Sequence, residues 1–267
     1  MPDRRLTILI AGLATLLVLA IMWDAFAPTR RHRQATARSV DSVRTAPPPD
    51  TTPSPAVPVP PAQTVATPAG GPGYFDQLAR AESRRRIRAS AGYTYLSDVL
   101  AESEDSALHR WDDRATRPVR VYILPGTVAN FTPAFADAVR RALDRWSDAG
   151  IPVRFDATVD SSRAEVVVKW KIQFEIDRTG QTDLTWDQEG HIQSGVVTIA
   201  VFDPKGRPLS ADDIYVVALH EVGHLLGLDH SPDSADIMFA TTSVRDLSPR
   251  DIRTALLLYQ LAPGTLR

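Results

Sequence analysis

Three histidines and a glutamate stand at fixed offsets in the stretch His220-Glu221-Val222-Gly223-His224-Leu225-Leu226-Gly227-Leu228-Asp229-His230, which reads H-E-x-x-H-x-x-G-x-x-H. On an α-helix, residues four apart share a face, so His220 and His224 can present two imidazole nitrogens to one metal ion. Glu221 is rotated about 100° from His220, which lets it reach a water on that metal without being a ligand. Gly227 has no Cβ and can take the left-handed conformation that ends a helix, turning the chain so that His230 returns as third ligand. Three nitrogen ligands leave the fourth position open, the mark of a catalytic rather than a structural zinc. Asp229 adjoins His230, and a carboxylate can also bind zinc. Imidazole at this offset keeps the register of the motif, so His230 is read as the ligand and Asp229 as an outer or surface residue.

Zinc held by His220, His224 and His230 would lower the pKa of its bound water to about 7. Glu221 is then the expected general base, accepting the proton of that water and passing it to the leaving group of a hydrolysed substrate.

The elements that must position these residues are legible around them. Ser210-Ala211-Asp212-Asp213 has the pattern of a helix cap, with acidic residues at the positive end of the dipole. Ile214, Val217, Ala218, Leu225 and Leu226 then form an apolar side that faces a sheet. Upstream, Val119 to Leu124 alternates and stops at Pro125-Gly126, a strand followed by a turn. Thr132-Pro133 opens a second helix with Phe135, Ala138, Val139, Ala142, Leu143 and Trp146 on one face and Gly150 as its stop. Val153 to Phe155, Ala164 to Ile172 and Gly195 to Phe202 are strand candidates rich in Val and Ile. Leu184-Thr185-Trp186-Asp187 reads as a short edge strand or hairpin arm. Strand, helix, several strands and a second helix make an α+β fold with a mixed sheet, not a barrel.

At these residues the chain resembles the metzincin metallopeptidases, and Asp229-His230-Ser231 after Gly227-Leu228 is similar to their matrixin branch, including bacterial relatives of the matrix metalloproteinase catalytic domain. Ser234-Ala235-Asp236-Ile237-Met238 resembles the family's methionine turn, a hydrophobic floor beneath the metal. Leu247-Ser248-Pro249-Arg250-Asp251-Ile252 with Leu257 and Tyr259 resembles its last helix. The resemblance covers about the final 150 residues and implies a zincin-type twisted sheet, an active-site helix, one catalytic zinc and an extended peptide or protein substrate paired with an edge strand, for which Thr182 to Gln193 is the candidate segment. Selectivity is expected in the wall after the methionine turn, Phe239 to Leu247.

The departures from the family are equally specific. Cysteine is absent, which excludes the propeptide cysteine that blocks the zinc in matrix metalloproteinases. The structural second zinc of that branch needs three histidines and an aspartate, and outside the motif the catalytic region holds only His191. A calcium site is compatible with the family but has no support in this sequence. Where the family opens its last helix with two acidic residues, the first of which binds a newly freed N-terminus, this chain has Arg250 and Asp251. Arginine cannot accept an ammonium group.

Of the 267 residues, 43% are hydrophobic and the formal charge is −2, which supplies no general attraction to nucleic acid. Residues 1–5 form a short tail. Leu6 to Ala27 is an apolar run whose first charge is Asp24, long enough for a ~30 Å hydrocarbon core, so residues 6–27 are expected to be a signal anchor of a single-pass membrane protein. Ala25-Phe26-Ala27 offers the alternative of a cleaved signal peptide and a secreted enzyme, although Pro28 follows directly. Residues 28–73 have the composition of a disordered, proline-rich spacer, with ten of the 21 prolines between Pro47 and Pro72. Residues 74–115 are charged and helical in pattern, a flank that packs on the catalytic domain or a pro-segment in which Glu102, Glu104 or Asp105 would replace the missing cysteine. Residues 116–267 are the expected catalytic domain, acting as a monomer. The alternative function is a catalytically silent, zinc-stabilised peptide-binding module.

Arginines are more numerous after the apolar run (Arg30, Arg31, Arg33, Arg38) than before it (Arg4, Arg5), which favours a cytoplasmic domain by the positive-inside rule. Long domains translocate largely regardless of charge, and the extracytoplasmic orientation is preferred. A reporter fused at the C-terminus that works only in the cytoplasm should therefore be silent, and a signal from it would reverse the assignment.

Overall fold

The computed structural model describes residues 73–102 and 106–266. The apolar run and nearly all of the spacer, together with Glu104, Asp105 and the side chain of Glu102, lie outside the described residues. Among the described residues no helix is long and apolar enough to cross a membrane.

The site rests on one twisted sheet. Its strands are β2 (Arg114–Ile123), β3 (Val153–Ala157), β4 (Val166–Lys171), β5 (Gly180–Trp186) and β6 (Ile192–Ala200), in the order β3-β2-β4-β6-β5. The pairings β3–β2, β2–β4 and β4–β6 are parallel and β5 runs antiparallel to β6, so the sheet is mixed, as the order of elements predicts. β2 extends further back than the alternating run 119–124. Pro118 cannot donate to a ladder, and the β2–β3 register shifts between Arg114 and Val119 to accommodate it. The edge-strand candidate Thr182 to Gln193 is corrected: the strand is Gly180–Trp186, and residues 187–190 are a turn. Asp187 accepts the backbone N–H groups of Glu189 and His191 at 3.1 and 2.8 Å, which closes the hairpin before Ile192 opens the next strand.

Two long helices cover one face. α3 (Pro133–Ser147) follows Thr132 at its N-cap, and buries the six apolar residues that its period marks. α4 (Ala211–Leu225) carries the motif; Ser210 accepts the Asp213 N–H while the Asp213 side chain accepts the Ser210 N–H at 3.0 Å, a reciprocal cap. Ile214, Ala218, Leu225 and Leu226 are buried as expected, whereas Val217 is only half-buried. The fully buried Trp146 locks the two helices together, its indole N–H donating to the Leu219 carbonyl at 2.8 Å.

The flank belongs to the same packing unit. α1 (Tyr74–Ala89) and α2 (Leu96–Glu102) are followed by β1 (Ala107–Leu108), which pairs with β7 (Gly264–Thr265) beyond the last helix, α5 (Pro249–Gln260). Ile87, Tyr95, Leu96, Val99, Leu108 and Trp111 share one hydrophobic cluster with the sheet and helices. Removing the Trp146 side chain should leave a large cavity and delete the indole donor that ties α3 to the Leu219 carbonyl. Trp146→Ala is expected to cost about 3–5 kcal/mol, read as a lowered denaturation midpoint at unchanged slope.

Candidate metal centre

The three histidines converge. One ring nitrogen from each of His220, His224 and His230 lies within 4.8 Å of the others, and this is the group among the described residues able to hold a metal. Asp229 is not in it; its carboxylate accepts the His230 N–H at 2.8 Å. His191 sits instead between Asp112 and Asp187, 3.3 Å from each.

The tautomers show what the site requires. His220 Nδ1 lies 2.8 Å from the Ile237 carbonyl and His224 Nδ1 lies 2.8 Å from the Leu228 carbonyl. A carbonyl only accepts, so both Nδ1 atoms carry protons and both Nε2 atoms present lone pairs. Those two Nε2 atoms are 3.2 Å apart. Two lone pairs at that distance repel unless a cation lies against both, and tetrahedral zinc with Zn–N of about 2.0–2.1 Å spaces its nitrogens by roughly 3.3 Å. The donor set fits zinc. Burial lowers the His220 and His224 pKa values to about 4 and about 3, which keeps both rings in the neutral form that ligation needs.

Glu221 packs its carboxylate against the edge strand. It is 4% exposed, and burial pushes its carboxyl up to about 7 against the opposing pull of a hydrogen bond from Thr182. The Thr182 hydroxyl donates to Glu221 Oε2 at 2.6 Å. Gly180, also on β5, provides the room: a Cβ there would overlap the Glu221 carboxylate. Neither partner was identifiable from the sequence, because nothing local relates residues 180 and 182 to residue 221; only the strand's place beside α4 does.

The helix end is built as the motif predicts. The Leu228 N–H donates to the Gly223 carbonyl at 3.1 Å and the Gly227 N–H to that of His224 at 2.9 Å, a paired C-terminal cap around Gly227 at φ +91°. Carbonyls left over are taken by aromatic donors: the Trp111 indole to Leu225 at 2.7 Å and the Tyr259 hydroxyl to Leu226 at 3.0 Å. Met238 is fully buried beneath the site, and a Cβ on Gly223 would overlap its sulfur. The turn is tied to the third-ligand loop by the Ser231 N–H, which donates to the Met238 carbonyl at 2.8 Å.

A mixed sheet with an antiparallel edge strand above an H-E-x-x-H helix, a glycine turn to a third histidine and a methionine floor define a zincin-type metal centre. The matrixin family model matches residues 119–260, over half of the chain, and the chain belongs to that family. It is similar to Metalloendoproteinase 1-MMP of Arabidopsis thaliana, 33% identical over 138 residues that cover 45% of this chain and 36% of that protein. Metalloendoproteinase 1 of Glycine max is 28% identical over 143 residues, covering 48% and 47%. Macrophage metalloelastase of Oryctolagus cuniculus is 29% identical over 160 residues, covering 54% and 34%. The matched stretch spans less than half the length of each relative.

Gly227 is constrained twice, by its positive φ and by the His109 carbonyl, which a Cβ would strike. Gly227→Ala should destabilise the chain by at least about 1–3 kcal/mol and weaken zinc retention against a chelator, because the displaced turn carries His230. Unchanged zinc retention would show that the turn does not set the ligand's position.

Proposed function

We propose that this chain is a zinc-dependent endopeptidase in which His220, His224 and His230 hold a single catalytic zinc and Glu221 is the general base. The observation that carries the reading is the opposed pair of Nε2 lone pairs beside a buried carboxylate. When bound, zinc supplies a Lewis acid that polarises a carbonyl and acidifies water. Glu221 takes the proton from that water and delivers it to the departing amine nitrogen. Thr182 fixes which carboxylate oxygen is free for this, by occupying Oε2. Among the described residues β5 pairs with β6 alone, so its outer backbone groups are open to an extended peptide, which would align the scissile bond along the cleft.

A silent binding module is the weaker reading. Burying Glu221 disfavours its charged form, a cost that peptide docking alone does not require. The apolar run 6–27 supports a membrane anchor, with the proline-rich stretch holding a monomeric catalytic domain away from the bilayer on the extracytoplasmic side.

Glu221→Gln in the full chain removes the base and keeps the size. It should lower kcat/KM on an unfolded protein such as casein by about 10²–10⁴-fold while one zinc per chain is retained. Peptide cleavage at the wild-type rate in this variant would remove Glu221 from the mechanism; wild-type protein that retains zinc yet cleaves nothing would favour the binding module.

A further inference from the structure

The flank that the sequence leaves between a packed element and a pro-segment is joined to the metal centre by hydrogen bonds. Tyr95, between α1 and α2, is 0% exposed, and its hydroxyl donates to Asp251 Oδ1 at 3.0 Å. Its backbone N–H donates to the Thr254 hydroxyl at 3.2 Å, which holds the same stretch against α5. Asp251, also 0% exposed, uses Oδ2 to accept the Ile237 N–H at 2.9 Å and the Ser248 N–H at 2.8 Å. On the other side of the same residue, the Ile237 carbonyl accepts the Nδ1 proton of His220 at 2.8 Å. Three successive polar contacts therefore run from Tyr95 to a zinc-ligand imidazole.

A second arm starts from the same ring. The Arg250 guanidinium lies 5.6 Å from the centre of the Tyr95 ring. It donates to Asp236 Oδ2 and to the Ser231 hydroxyl, both at 2.8 Å, and Ser231 in turn donates to Asp236. Ser231 directly follows His230, and Asp236 directly precedes Ile237. Tyr95 thus steadies the methionine turn from both ends, with its hydroxyl on one arm and its ring on the other. Burial and the neighbouring Asp251 charge hold the Tyr95 hydroxyl in its protonated, donating form, its pKa raised well above the usual value.

We propose that Tyr95 is a positioning residue for the metal centre, acting through Asp251 and Arg250, and that the segment carrying it is a permanent brace of the methionine turn rather than a pro-segment removed on activation. The proposal rests on the zinc-site reading above. Its physical basis is that groups orienting a metal-bound histidine govern metal affinity, because the ring must be aimed before the ion arrives. A buried carboxylate that loses one of its donors shifts toward those remaining, and for Asp251 the remaining donors include the turn itself.

The test uses the full chain and zinc alone, titrated against a chromophoric chelator. Tyr95→Phe keeps the ring and deletes only the hydroxyl; it should weaken zinc binding by about 3–10-fold, less than the ~10–100-fold of a group that touches the ligand directly. The kcat of the zinc-loaded variant should fall with KM unchanged. Ser147→Ala is the control: it removes a hydroxyl that donates to the Leu143 carbonyl at 2.9 Å and accepts the Phe155 N–H at 3.3 Å, away from the metal. It should lower Tm and leave zinc affinity at the wild-type value. Should Tyr95→Phe fail to fold, Arg250→Lys tests the second arm, since lysine lacks the fork that bridges Asp236 and Ser231, and its zinc affinity should fall likewise. Wild-type affinity in Tyr95→Phe, or in Arg250→Lys where that stands in, overturns the brace, as does an active species whose N-terminus lies beyond Tyr95. Wild-type protein that binds no zinc overturns the zinc reading itself, a separate result.

Discussion

Two imidazole nitrogens that turn their lone pairs on each other across 3.2 Å are an arrangement that a cation lying against both relieves. Much of the remaining architecture serves to impose it. Each of the two rings is clamped at its far nitrogen by a backbone carbonyl, and each carbonyl belongs to a segment outside the motif helix proper: Ile237 in the methionine turn, Leu228 in the glycine turn. The metal centre therefore depends on two loops being held rigidly, and the fold can be understood as the means of holding them.

The glycine turn is secured from above the helix end. Gly227 presses against the His109 carbonyl, and Trp111 and Tyr259 supply donors to the carbonyls of Leu225 and Leu226, which have no helical partners. These contacts come from the flank and from the last helix, not from the sheet. The methionine turn is secured from below by Asp251 and Arg250 at the start of that helix. Asp251 at 0% exposure would be an expensive group to bury alone; its donors convert that burial into directional restraint on Ile237. Arg250 occupies a position where an acidic residue would be expected from the family resemblance, and the structure gives it a definite occupation, bridging Ser231, Asp233 and Asp236.

Glu221 is held separately from the three histidines. Glu221 leaves the helix on a different side from His220 and meets the edge strand, where Gly180 makes space and Thr182 donates. Among the described residues no strand pairs with the other edge of β5. The two residues that pack on the Glu221 carboxylate are thus carried by the edge strand, so a shift of β5 would disturb the setting of that side chain.

The convergence of His220, His224 and His230, the N-cap positions of Thr132 and Ser210, the buried face of α3 and the mixed character of the sheet were legible in the sequence, because each follows from short-range geometry: a turn of helix, an alternation, a residue without Cβ. The family resemblance was legible for the same reason, its motifs being local. Residues 180 and 182 acquired meaning only beside residue 221, and Tyr95 only beside Asp251, since no periodicity links positions so distant in the chain. The extent of β5 was decided by Asp187, whose turn-closing hydrogen bonds depend on backbone geometry that residue names do not reveal. Sequence alone singled out the residues whose atoms are proposed to bind a metal and move a proton. Tertiary structure decided what aims those atoms, because aim is set by contacts between segments that only folding brings together.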